Sequence, residues 1–164
     1  SAGRPTVIEL VPPQWRRALI PVGRLDFQTE GLLLLTDDGE FAQQMTHPRY
    51  GMPKTYSVLI RGRIGQRELE KARGGVWLAE GPTAGKPLKI ERVIGDRSHL
   101  RVVLREGKNR EIRRVFAKLG NPVLSLKRVR IGGLSLHELG SGKHRFLRPE
   151  EVSALREIAR SEAD

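Results

Sequence analysis

The apolar residues of this chain come in short runs separated by Gly and Pro, and this spacing limits the folds open to it. Its 164 residues include 18 Gly and 10 Pro, spread along the whole length. The run of four leucines at residues 32–35 has the length of a strand. No apolar run approaches the roughly 20 residues that a helix needs to cross a bilayer. The spacing therefore predicts short strands joined by turns.

Residue patterns predict where strands and helices lie. Strands are expected at 31–36, 55–61, 76–78, 88–94, 100–105, 123–131 and 134–136, where apolar and β-branched residues concentrate. Helices are expected at 39–45, with Asp37 or Asp38 as its cap, at 66–73, at 109–119, and from Pro149 onward. The helix at 109–119 has the clearest apolar spacing, and Gly120 provides its stop.

Strands outnumber helices in this interpretation, and the helices are scattered between hairpin-like pairs of strands. The sequence therefore predicts an α+β fold with a mixed, mostly antiparallel sheet and flanking helices. A doubly wound nucleotide-binding fold is not expected, because neither Gly-x-Gly-x-x-Gly nor Gly-Lys-Ser/Thr occurs. No internal repeat is visible.

The composition excludes several classes of chemistry. The chain has no Cys, so disulfides, thiolate catalysis and Cys-based metal sites are excluded. Its four histidines are isolated in sequence, at His47, His99, His137 and His144. We therefore expect no metal and no cofactor. Since no signal peptide is visible either, we expect a soluble protein of the cytoplasm.

The positive charge is concentrated in one segment. The chain carries a formal charge of +11. Residues 106–148 contain eleven Lys and Arg against three Glu, a net +8, whereas residues 149–164 are net −3. A basic stripe of this kind is typical of a protein that binds the phosphate backbone of nucleic acid. The simpler alternative is a solvated basic surface.

An isolated acid precedes the leucine run. Asp26 ends the sequence Gly-Arg-Leu-Asp that begins at Gly23, and Thr29-Glu30-Gly31 and the leucines follow. On its own, such an aspartate is most often a turn or helix-cap residue. The whole stretch through Asp38-Gly39, however, resembles the motif of ribosomal RNA pseudouridine synthases of the RsuA/RluB type. That resemblance implies that Asp26 is the catalytic residue.

Two further motifs of the same family follow in order. Lys-Thr-Tyr at residues 54–56 resembles the second motif, in which the tyrosine stacks on the target base, a role that maps to Tyr56. Gly-Lys-Asn-Arg-Glu-Ile-Arg-Arg at residues 107–114 resembles the third, in which an arginine pairs with the catalytic aspartate. This role maps to Arg113. Glu111 stands where Gln is common, and could either weaken RNA contact or form a local pair.

The resemblance covers nearly the whole chain and implies an isomerase. It implies a pseudouridine synthase catalytic fold and conversion of uridine to pseudouridine in ribosomal RNA, with large-subunit RNA favoured. Attack at C1′, attack on the uracil ring and elimination through a glycal remain open as routes. The residues expected to contact RNA are Arg24, Lys54, Lys108, Asn109, Arg110, Arg114, Lys127, Arg128 and Arg130.

The expected organisation is a single catalytic domain over residues 1–164, acting as a monomer on ribosomal RNA without a membrane or a small-molecule cofactor. Many family members carry a separate N-terminal RNA-binding domain, which is not seen here; of the two explanations, a trimmed catalytic fragment or a member without that domain, we favour trimming. Two other functions are alternatives. A non-catalytic RNA-binding or ribosome-assembly module accounts for the charge but not for the motifs, and a glycoside hydrolase normally needs two carboxylates.

Overall fold

The computed structural model describes residues 6–105, 107, 110–137 and 139–164. The helices in this part of the chain are α1 (Gly39–Thr46), α2 (Gln66–Gly74), α3 (Glu111–Lys118) and α4 (Pro149–Ala163), with short 3-10 helices at Val7–Leu10, Pro13–Trp15 and Pro48–Tyr50. The strands are β1 (Ile20–Val22), β2 (Glu30–Gly31), β3 (Leu34–Thr36), β4 (Lys54–Arg61), β5 (Trp77–Leu78), β6 (Gly81–Pro82), β7 (Leu88–Ile94), β8 (Arg97–Leu104), β9 (Val123–Ile131) and β10 (Leu134–Ser135).

The main sheet has the strand order β10-β9-β4-β8-β7, and its pairs along this path are antiparallel. Strand β2 joins β9 in parallel, which makes the sheet mixed. Strands β1 and β3 form a separate antiparallel pair, and so do β5 and β6. The predicted α+β fold with a mostly antiparallel sheet is confirmed.

Two hydrophobic clusters stabilise the fold. The first contains Val58, Leu100 and Val102 of the sheet and packs against Val115 and Phe116 of α3. The second joins β1, β3 and β10 to α1 and α4. Its members include Val22, Leu34, Met45, Leu134 and Leu155. Burial of this apolar surface is the main stabilising term for both.

The leucine run was predicted as one strand, and that prediction was wrong. The chain pairs with β9 at residues 30–31 and with β1 at residues 34–36, so it changes partners within the run. At the switch, Leu32 N donates to Arg128 O (2.8 Å) and Arg128 Nε donates to Leu32 O (2.8 Å). Gly31 has φ +119° there, and a Cβ on it would lie 2.3 Å from Arg128 O. Only glycine permits this close approach.

The helices begin and end close to the predicted positions. Asp38, one of the two proposed caps, accepts hydrogen bonds from Glu40 N and Phe41 N at the start of α1. Helix α3 begins at Glu111 rather than residue 109, and Leu119 is its C-cap. Among the helices described here, none is both long enough and apolar enough to cross a membrane.

Candidate active site

A tight turn between β1 and β2 holds Asp26. Thr29 N donates to Asp26 O (3.0 Å), which closes the turn. The carboxylate Oδ1 of Asp26 accepts from Gln28 N (3.0 Å) and from Thr29 Oγ1 (2.8 Å). An aspartate side chain commonly stabilises such a turn by bonding to the backbone two residues on. Because Oδ1 is used in this way, Oδ2 is oriented by the turn and directed towards α3.

Two arginines at the start of α3 approach that second oxygen. Oδ2 of Asp26 lies 3.5 Å from Arg110 Nη1 and 3.7 Å from Arg113 Nε. The Asp26 side chain is 23% exposed and that of Arg113 13%. Arg110 also donates to Gln28 Oε1 (2.8 Å), and Arg113 donates to Gln28 O (2.8 Å). The helix and the turn are therefore cross-linked around the carboxylate.

Arg110 adopts a conformation that is unusual for a residue with a side chain. Its φ is +52°, in the left-handed region, at the N-cap of α3. Holding a non-glycine residue there costs on the order of 1–3 kcal/mol and is common at functional sites. The hydrogen bond of its guanidinium group to Gln28 and its ion pair with Asp26 offset that cost and fix the start of the helix.

The surroundings of Asp26 keep it ionised. Burial alone would raise its pKa, but the hydrogen bonds from Thr29 and Gln28, with the charges of Arg113 and Arg110, lower the pKa below its ordinary value of 3.8. An ionised carboxylate can act as a nucleophile. The site can supply this anion at any physiological pH.

The lowered pKa of Asp26 predicts a pH dependence. Because its folded-state pKa lies below 3.8, ionised Asp26 stabilises the fold above about pH 4, and this contribution is lost as the pH falls through the folded-state value. The substitution Arg113→Gln removes one favourable charge, so we expect the pKa of Asp26 to rise. Carboxyl ¹³C NMR titration of the RNA-free protein measures it directly.

Glu151 is an internal control for that titration. Glu151 lies in helix α4, and hydrogen bonds from Arg145 and the backbone N–H of Arg148 lower its pKa to about 2. Arg113→Gln should leave Glu151 unchanged while Asp26 moves upward. An unchanged Asp26 titration, or equal shifts of both groups, would show that Arg113 does not act on Asp26.

The strand pairing of the sheet aligns Tyr56 with Gly31 of β2, the strand that follows the Asp26 turn. Gly31 of β2 pairs with Arg128 of β9, and Arg128 pairs with Tyr56 of β4. Paired residues of neighbouring strands project to the same face of a sheet. Tyr56 is partly buried against the first hydrophobic cluster, on the side that α3 covers. Its predicted role beneath a base stays a prediction.

Lys54 and Arg128 line the sheet beside Tyr56 and are more buried than expected for RNA contacts. Arg128 is 3% exposed, and its Nε is bonded to Leu32 O. Burial and the charge of Arg128 lower the pKa of Lys54 to about 8. Arg128 therefore joins β2 to the sheet, and because it is buried its position does not favour the predicted contact with RNA, which stays a prediction.

A buried ion pair supports the start of α3. Lys86 Nζ lies 3.6 Å from Glu111 Oε2, with the two side chains 4% and 0% exposed. Lys86 Nζ also donates to Ala84 O (2.7 Å), and its backbone N donates to Arg73 O (2.9 Å). The sequence left two alternatives for Glu111, and the structure selects the local pair. Glu111 immediately follows Arg110, so this pair anchors the arginines that contact Asp26.

The other predicted RNA contacts lie at varied places. Arg24, Lys127 and Arg130 are exposed, and Arg114 is ion-paired with Glu80. Lys108 and Asn109 lie outside the described residues.

Sequence reasoning missed Gln28 and Thr29, which hold the carboxylate and the arginines. Thr29 could have been found, because Asp side chains and Thr hydroxyl groups both form hydrogen bonds within turns. Within the described residues, no group of three or more His, Cys, Asp or Glu could hold a metal ion.

Comparison with known proteins identifies the family of this chain. The family model described as RNA pseudouridylate synthase matches residues 3–118, which contain Asp26, Tyr56, Arg110 and Arg113. The chain belongs to this family. A solved structure described as a pseudouridylate synthase superposes with a TM-score of 0.85 and 32% identity, covering 92% of this chain and 65% of that one.

Two relatives extend the comparison. An uncharacterized RNA pseudouridine synthase of Aquifex aeolicus is 39% identical over 93% of this chain and 61% of its own length. The ribosomal large subunit pseudouridine synthase B of Bacillus subtilis is 41% identical over 86% of this chain and 59% of its own. The chain thus spans about three fifths of these relatives.

Proposed function

We propose that this protein isomerises uridine to pseudouridine in ribosomal RNA, with large-subunit RNA as its substrate. The observation that carries the proposal is the Asp26 side chain, set in a turn and within 3.7 Å of the charged groups of Arg110 and Arg113, in a chain of the RNA pseudouridylate synthase family. The name of the Bacillus subtilis relative supports the large-subunit assignment. The net charge of +11 suits a phosphate-rich substrate.

The reaction exchanges one glycosidic bond for another. The bond from C1′ to N1 of uracil breaks, the ring turns, and a bond from C1′ to C5 forms; N1 gains a proton and C5 releases one. We assign Asp26 as the nucleophile: its carboxylate forms a bond to C1′ or to the uracil ring while the C1′–N1 bond breaks, and that bond breaks again when C1′ is joined to C5. Arg113 keeps that carboxylate charged, and Tyr56 supports the uracil from the floor of the sheet.

The target base must leave its stack before this chemistry can occur. Enzymes that modify bases extrude the nucleotide, at a cost of roughly a few kcal/mol for unstacking. We propose that this protein flips the uridine towards Asp26, while exposed cations such as Arg24, Lys127 and Arg130 hold the backbone.

The test uses ribosomal RNA transcripts carrying tritium at C5 of uridine. Incubation with the purified protein should release tritium from large-subunit RNA, up to a plateau of one equivalent per modified site, and mapping should find pseudouridine there. Release from small-subunit RNA alone would overturn the substrate assignment. No release from either RNA, with binding retained, would instead support a non-catalytic RNA-binding module.

A further inference from the structure

A large aromatic residue stands at the corner of the turn that holds Asp26. Phe27 is 83% exposed, the highest value among the large apolar residues that the structure describes as exposed. Exposed single apolar residues are common on protein surfaces. This one is adjacent in sequence to the proposed nucleophile, in a turn whose polar side chains are hydrogen-bonded.

The neighbours of Phe27 hold it in place. Asp26 before it is bonded to Thr29 and ion-paired with Arg110, and Gln28 after it is bonded to Arg110 and Arg113. The turn is therefore fastened on both sides of Phe27. An exposed ring on a fixed turn loses little conformational freedom when it binds a flat ligand.

The groups around Phe27 favour a nucleobase as its ligand. Aromatic rings stack on the faces of nucleobases irrespective of sequence. Arg110 has a side chain 39% exposed beside the same turn, so it can attract a phosphate of the bound strand. When a uridine is extruded, the base next to it loses a stacking partner and needs another.

We propose that Phe27 is a nucleobase-stacking residue that binds the base adjacent to the target uridine. The inference rests on the proposed function and adds a contact outside the three family motif roles. Stacking through the π-face discriminates weakly between bases, so Phe27 contributes affinity and placement of the strand more than choice of sequence.

The experiment compares Phe27→Ala, Phe27→Leu and Phe27→Trp in two measurements. The first is affinity for the large-subunit RNA fragment. The second is the fluorescence of 2-aminopurine placed beside the mapped uridine, which stacking quenches. We expect Phe27→Ala to weaken binding about five- to 150-fold and to abolish the quenching contributed by the ring, as loss of one stacked base predicts. Phe27→Trp should retain both within twofold, and Phe27→Leu should lose quenching.

Trp77→Ala is the matched control. Trp77 is 67% exposed, but its carbonyl accepts a bond from Lys118 at the far end of α3 from Arg110. This variant should bind within twofold of wild type. Phe27→Ala binding as tightly as wild type, or Phe27→Leu matching Phe27→Trp in both measurements, would overturn the inference. Tritium release by the wild-type protein tests the proposed function separately, and the affinity comparison still tests Phe27 when no tritium is released, because binding does not require turnover.

Discussion

Replacement of Asp26 by Asn is expected to abolish pseudouridine formation while leaving RNA bound. Asn keeps the size of the side chain and an oxygen for the bonds from Gln28 and Thr29, but it has neither the negative charge nor the nucleophilic carboxylate. We expect the single-turnover rate to fall by about 10⁴-fold or more, as when other enzymes lose their nucleophile. Tritium release and filter binding measure the two properties on one sample.

The control for Asp26→Asn is Asp37→Asn. Asp37 is exposed, belongs to the same acidic and leucine-rich stretch, and lies outside the turn around Asp26. Its replacement removes one negative charge without touching the site, so activity should stay within twofold. Residual turnover above about one hundredth of wild type in Asp26→Asn, or a loss of RNA affinity that matches the loss of rate, would contradict the assignment of Asp26 as nucleophile.

The substitution Lys86→Met is expected to lower the free energy of unfolding more than the other substitutions proposed. It leaves Glu111, whose side chain is fully buried, without the cation 3.6 Å away. Removal of one partner of a buried ion pair costs about 3–5 kcal/mol. We therefore expect the free energy of unfolding, measured in urea, to fall by about that amount. Since Glu111 starts the helix that carries Arg113, activity should fall as well.

A double-mutant cycle separates the pair from other effects of the substitution. Lys86→Met combined with Glu111→Gln removes both charges and should recover most of the stability lost in Lys86→Met. Arg160→Met is the surface control, because the Arg160–Glu157 pair has both side chains 71% exposed. It should change stability by roughly 0.5 kcal/mol or less. Additive effects of the two substitutions in the cycle would show that the buried pair is not coupled.

Patterns of local sequence predicted much of the fold but not the changes of partner. The helix α3 and the strands β7 and β9 were readable, because their apolar periods are regular and Gly or Pro bounds them. The leucine run has a single apolar pattern, but the chain pairs with two different strands along it. The change from one strand to the other depends on Arg128, about a hundred residues away. The strand β1 was missed because Pro21 lies within it, and proline argues against a strand.

The sequence predicted the site residues that belong to a motif. It did not predict the residues that support the site from distant positions in the chain. Asp26 and Arg113 were expected as a pair, and the structure brings them together. Lys86 lies in a turn-rich segment that has no regular pattern, so nothing in the sequence connects it with Glu111. Phe27 has no motif role, and its exposure is known only from the folded chain.

The charges of the site belong to different hydrophobic clusters. Asp26 follows β1, whose Val22 lies in the second cluster, whereas Arg113 is on helix α3, whose Ile112 and Val115 lie in the first. The Asp26–Arg113 ion pair therefore connects the parts of the chain that pack into the two hydrophobic clusters. Local unfolding of either cluster would break this ion pair before the whole chain unfolds. Heat inactivation should consequently begin at a lower temperature than the main unfolding transition.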